Sequence, residues 1–256
     1  MKNVASDQQS SERAPISFGV STIDAALGGG LDGAGLHEIY ASQTAYFGCV
    51  TGFAAALVLK AAGTRPIVWV RQDFLDVETG FLNSSGIAEI GLDPSRIILV
   101  RARDANGALR AGEQAARCAA LGAVVIQPWG DSSVVNFTAS RRLSLASAQS
   151  GVPVLMLRQA TSPSQSAATS RWRIQAKPSR ALEARAPGFP AFELTLLRRR
   201  GGASGQVWHV EWDRDGGCFQ DRKPRDAAQV SRTVVSLSPN GQAAPAAPRH
   251  EWRRAG

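Results

Sequence analysis

Short apolar runs separated by longer amphipathic or Ala-rich stretches set the rhythm of this chain. Residues 67–70 (IVWV), 97–100 (IILV), 123–126 (AVVI) and 152–157 (VPVLML) are continuous rather than alternating. That pattern predicts strands buried on both faces of a parallel sheet. A further strand is expected at 36–41, and helices at 52–62, 74–86, 104–121 and 136–150. Upstream, 16–27 (ISFGVSTIDAAL) reads as a short strand and turn leading into a helix with Ser21 or Thr22 as N-cap. Strands alternating with helices predict an α/β fold with a mostly parallel, helix-flanked sheet.

After 160 the pattern changes. Residues 161–170 form a Ser/Ala loop, and 171–176, 192–198 and 206–212 alternate apolar with polar, as antiparallel or exposed-edge strands do. The run RRRGGASG at 198–205 reads as a hairpin turn. The expected organisation is a disordered N-terminus at 1–15, one α/β domain at 16–212 with C-terminal antiparallel strands, and a basic, flexible tail at 213–256.

Charge sharpens this division. The net charge is +8, but residues 1–170 hold 13 Lys/Arg against 13 Asp/Glu, whereas 171–256 hold 16 against 8. A neutral body with a basic C-terminal portion points to an anionic partner, either nucleic acid or an acidic protein surface. Cys49, Cys118 and Cys218 are widely spaced and lack a C-x-x-C pair, which argues against a disulfide framework or a zinc site. No apolar run of about 18 residues and no apolar leader stand in the sequence, so a cytoplasmic location without membrane insertion is expected.

The chemistry centres on 36–60, which has the layout of a strand, phosphate loop and helix without the phosphate-loop residues. A working loop reads G-x-x-x-x-G-K-[ST]: glycines let backbone N–H groups close on phosphates, Lys reaches the β/γ oxygens and Ser/Thr holds Mg²⁺. Here the stretch is Ala41, Ser42, Gln43, Thr44, Ala45, Tyr46, Phe47, Gly48 and Cys49, with no cation and two bulky rings. The GGGLDG run at 28–33 matches G-x-G-x-x-G, but it follows a helix and precedes a strand. A dinucleotide fingerprint needs the reverse, so a glycine-rich turn is expected.

The order ISFGVSTIDAALGGGLDGAGLHEIY, then the loop, then 67–126, resembles the core of RecA-type recombinases. With the later GVPVLMLRQA and SAATSRWRI, the chain more closely resembles the ImuA family of RecA-like, SulA-related accessory proteins of bacterial damage-induced mutagenesis. The resemblance spans about 16–212 and implies a RecA-like core. In that frame Glu38, Ile39 and Tyr40 match the strand entering the loop. Gln72 or Asp73 falls where a water-activating carboxylate is normal. The strand 123–126 runs into Gln127, Pro128 and Trp129 instead of a Mg²⁺-ordering acid, and Asp131 comes too late. Gln159 falls where RecA proteins carry a glutamine linking the nucleotide site to the DNA-binding loop, and the loop after it, 160–169, holds no Lys or Arg.

The expectation is therefore a non-catalytic, RecA-like accessory protein of error-prone translesion synthesis, with no catalytic residues, cofactor or metal. The resemblance implies two partners, an inactive Y-family-like polymerase subunit and a C-family error-prone polymerase, with RecA and DNA as further candidates. Contact candidates are Arg171, Trp172 and Arg173, which could stack on bases and hold phosphates, and the Arg198, Arg199, Arg200 cluster. In a strand, Arg171 and Arg173 share one face and Trp172 takes the other, so a buried Trp beneath a solvated Arg face is the competing reading. Two other functions stay open: a DNA-dependent ATPase with an atypical loop, and a SulA-like inhibitor of cell division.

Overall fold

Each apolar run finds its place in one sheet. The computed structural model describes residues 13–180, 188–202 and 204–222. In chain order the elements are α1 (Ser21–Ala26), β1 (Leu36–Ala41), α2 (Phe47–Ala62), β2 (Ile67–Gln72), α3 (Phe74–Thr79), α4 (Ser84–Glu89), β3 (Ile97–Ala102), α5 (Ala105–Ala116), β4 (Ala123–Gln127), α6 (Phe137–Ser150) and β5 (Val154–Arg158). Four strands follow: β6 (Ser170–Lys177), β7 (Ala191–Arg199), β8 (Val207–Asp213) and β9 (Cys218–Asp221). The sheet order is β3-β2-β4-β5-β1-β6-β7-β8-β9. The pairings from β3 through β6 are parallel, and β6 through β9 pair antiparallel.

Strand alternation splits the core in two. Ile67, Trp69, Val125, Leu155 and Leu157 face α2, whereas Val68, Val70, Val124, Ile126 and Met156 face α5 and α6. Helix α2 is enclosed from several sides. Phe53 packs 5.7 Å from Phe192 of β7 and 5.4 Å from Phe219 of β9, and Trp212 Nε1 of β8 donates to Ile90 O just past α4 (2.9 Å). This explains why Ala54, Ala55, Ala56, Leu57 and Val58 are all buried. With the turn before it, this core helix, Thr44–Ala62, is long and apolar enough in composition to cross a membrane, which the sequence pattern did not signal.

Several expectations are corrected. Helix α1 is capped at Val20 rather than by Ser21 or Thr22. The carboxylate of Asp24 organises the turn instead, accepting from Ser17 Oγ and from the Phe18 and Gly19 N–H groups. Helix α2 starts at Phe47, not at 52. The single helix expected over 74–86 is two, α3 and α4, because Gly80 adopts φ 77°, ψ 173° between them. Strand β3 is not buried on both faces but is a sheet edge, with Ile98 52% and Leu99 47% exposed.

The domain also extends past both expected limits. Arg13 donates to Ala61 O, Gly122 O and Gly151 O, and β9 adds a strand beyond 212. The remainder of the expected disordered N-terminus and of the tail, 1–12 and 223–256, lies outside the described residues. The glycine run 28–30 is the expected turn: all three have positive φ, and a Cβ on Gly30 would meet Ile16 O at 2.5 Å.

Candidate functional site

Strand β1 ends at Ala41, so a phosphate-loop motif counted from there puts its second glycine at Tyr46, its lysine at Phe47 and its hydroxyl at Gly48. The structure closes this stretch as an ordinary helix entry. Thr44–Tyr46 is a 3-10 turn in which Tyr46 N–H donates to Gln43 O (3.0 Å) and Phe47 N–H to Thr44 O. No residue from 41 to 49 has positive φ, whereas an anion nest is built with a left-handed residue. Phe47 is 2% exposed and belongs to the α2-side core. A Cβ on Gly48 would meet open space, so no close backbone approach requires that glycine.

The neighbouring strand ends carry one charge, Arg158 at the end of β5, which is buried with its guanidinium 6.0 Å from the Tyr40 ring; the other positions are neutral. Gln72, the last residue of β2, accepts from Trp129 N–H (2.9 Å), which resolves the register there. Asp73 lies outside it, paired with Arg101 (3.1 Å) and 44% exposed. Gln127 ends β4, accepting from Trp69 Nε1 (2.9 Å) and donating to Thr51 Oγ1 (3.3 Å). Asp131 is exposed and accepts from Thr161 Oγ1 (3.2 Å). Gln159, which follows β5, is fully buried with neither side-chain atom partnered, and Ser42 Oγ after β1 is likewise buried without a partner. A row of three glutamines and a serine thus replaces the charged groups that phosphate chemistry uses. Each was visible in the sequence, but the row emerges only from the strand order.

A cavity of about 340 Å³ opens beside the first turn of α2, lined by Phe47, Cys49, Phe81, Ile87 and Phe192 among others. Arg71, the one cation among the described residues that line it, is held by Asp76 (3.2 Å) and Gly80 O (2.8 Å). Burial pushes the Cys49 thiol up to about 12, so no thiolate forms there near neutrality.

The six contact candidates divide evenly. Arg171 pairs with buried Glu38 (Nε to Oε2, 3.1 Å), so its expected solvated face is a buried ion pair. Trp172 is 2% exposed, stacked in the core 5.7 Å from Phe18 and 6.0 Å from Trp208. Arg199 donates to Ala26 O (2.7 Å) and Leu27 O (2.6 Å), satisfying carbonyls at the C-terminus of α1. These three are structural. Arg173, Arg198 and Arg200 are exposed.

No family model matches this sequence, and no curated protein matches it. Among solved structures the chain is similar to a RadB recombinase, with a TM-score of 0.55 and 16% identity over 81% of this chain and 100% of that one. The fold is RecA-like: an α/β core with a mostly parallel sheet, extended here by antiparallel C-terminal strands.

Proposed function

We propose that this chain is a non-catalytic, RecA-like accessory protein of damage-induced, error-prone translesion DNA synthesis, acting through protein contacts. The fold alone does not fix a function, so the reading leans on the site. One observation carries it: at the lysine position of the phosphate loop, Phe47 sits in the core while its own amide closes a turn onto Thr44 O. Phosphoryl transfer depends almost wholly on positioning and electrostatics, and the row of Gln72, Gln127 and Gln159 supplies neither a metal-ordering carboxylate nor a cation. The ImuA resemblance supplies the context and the proposed partners, an inactive Y-family-like polymerase subunit and a C-family error-prone polymerase.

The test is ATP binding and hydrolysis by the purified chain, with and without single-stranded DNA, beside an active RecA, together with co-purification of the two polymerases. The expected result is no nucleotide binding, no turnover and recovery of both partners. DNA-stimulated turnover would instead favour the ATPase reading, and recovery of a tubulin-type division protein in place of polymerases would favour the SulA-like one.

A further inference from the structure

On the α5/α6 side of the sheet, helix α6 presents Phe137, Arg141, Ser144 and Leu145, spaced i, i+4, i+7 and i+8 on one stripe. Against that stripe lie the end of the 160–169 loop, from Ser166, and Arg198 and Arg200 from the end of β7, enclosing a groove of about 330 Å³. Among the described residues three guanidiniums line it and no carboxylate does. Among the described residues the side chains of Arg141 and Arg198 have no hydrogen bond or ion pair, and Arg200 spends one nitrogen on Ala167 O (2.9 Å). The contrast with the next residue is direct, since Arg142 is paired with Glu113 at 3.3 Å. Phe137 is 41% and Leu145 52% exposed. Eight residues apart on one helix, they stand about 12 Å from each other along its axis and flank Arg141.

The groove is held open by the fold. Ser166 Oγ donates to buried Glu38 (2.6 Å), Ala167 N–H to Ser140 Oγ (3.0 Å) and Arg200 N–H to Thr169 O (2.9 Å). Loop, helix and hairpin are thereby fixed to one another, which lowers the ordering cost of binding.

We propose that this groove docks a short acidic, amphipathic segment of a partner protein, its carboxylates taken by Arg141, Arg198 and Arg200 and its apolar side chains by Phe137 and Leu145. Charge complementarity selects the occupant: guanidinium forks without counter-charges fit carboxylates bidentately. Nucleic acid fits less well. Single strands are held along a basic track with repeated aromatic platforms, whereas here one exposed aromatic stands beside a 160–169 loop without Lys or Arg, and Leu145 offers no stacking surface. The inference rests on the protein-contact reading above and assigns a surface to it.

Fluorescence anisotropy with the full chain tests it, using three labelled probes: a 15-residue peptide of Glu and Asp with interspersed Leu and Phe, the same peptide with Ser in place of Leu and Phe, and dT15. The amphipathic peptide is expected to bind at least tenfold more tightly than the other two, and to weaken at least tenfold with R141E/R198E and several-fold with L145S. All three substituted side chains are partly or fully exposed, and unchanged circular dichroism confirms that the variants fold. Equal binding of both peptides, insensitivity to either variant, or tighter binding of dT15 overturns the proposal. The two readings separate in co-purification. Polymerase recovery that survives R141E/R198E sinks the groove alone, and no recovery even with the native chain, alongside variant-sensitive peptide binding, sinks the polymerase partnership alone.

Discussion

Arg171 and Glu38 face each other across the β6/β1 pairing with Nε 3.1 Å from Oε2, their side chains 9% and 2% exposed. The same carboxylate accepts from Tyr40 Oη (2.8 Å) and Ser166 Oγ (2.6 Å), so one acid ties two strands and the 160–169 loop together. Removing one partner strands a buried charge, which costs about 3–5 kcal/mol. Glu38→Ala is therefore expected to lose that much in urea unfolding. The E38A/R171A pair should lose clearly less than the sum of the two single variants, and strict additivity would mean that the two charges do not sense each other.

Adjacent residues of the R-W-R segment should behave oppositely. Trp172 is a core ring whose N–H also donates to Ser170 Oγ (2.8 Å), and Trp172→Ala is expected to destabilise by about 3–5 kcal/mol. Arg173, exposed on the other face, should change stability by no more than about 0.5 kcal/mol as Ala. Thermal unfolding of the two variants side by side distinguishes a structural Trp from a solvent-facing arginine. A mild W172A would contradict the packing of Trp172 against Phe18 and Trp208.

How far the sequence could be read follows from what each signal depends on. Strands at 67–70 and 123–126 were legible because burial on both faces needs an unbroken apolar run, and that run is local. The edge position of β3 was not, since 97–100 looks like the same kind of run, and only strand order reveals that Ile98 and Leu99 are left exposed. Gly80 could have flagged the break between α3 and α4. The loss of the phosphate-loop residues was plain at Tyr46 and Phe47, whereas the closed 3-10 turn they enter is a backbone property that no residue type announces. For the arginines, residue type showed a cluster, but Arg199 capping α1 and Arg171 pairing with Glu38 are contacts far apart along the chain. Arg141 joins Arg198 for the same reason, through α6 packing beside the end of β7.

His37 sets a pH dependence. Its Nε2–H donates to Asp32 O (2.8 Å) and its Nδ1 accepts from Ser170 Oγ (2.8 Å), so the fully buried ring is neutral, and burial holds its pKa down to about 4. The unfolded chain protonates near 6.5, above the folded value. The neutral native ring thus contributes fully above about pH 6.5, and that contribution fades as pH falls towards 4, by on the order of 3 kcal/mol. His37→Gln should unfold more easily at pH 7 yet show a flatter stability curve between pH 6.5 and 4. Parallel curves for the native chain and the variant would mean that His37 does not carry the effect.

Restoring the missing lysine should fail. Phe47 opens α2 in the core at 2% exposure, so Phe47→Lys removes a packed ring and directs an ammonium into an apolar setting, at a cost of about 3 kcal/mol or more. The cation would also gain no backbone partners for a phosphate, because the Tyr46 and Phe47 amides stay bonded to Gln43 O and Thr44 O and no residue from 41 to 49 is left-handed. The triple variant Tyr46→Gly, Phe47→Lys, Gly48→Thr restores residue types, and a glycine at 46 could at least adopt the conformation a nest needs. Melting each variant with and without Mg-ATP separates the two obstacles. A ligand that binds only the native state raises the melting temperature. F47K is expected to melt lower than the native chain with no response to nucleotide. A nucleotide-dependent rise in F47K would mean that the turn opens into a cradle once a lysine is supplied; a rise confined to the triple variant would place the block in the backbone, as the closed turn from Thr44 to Tyr46 implies.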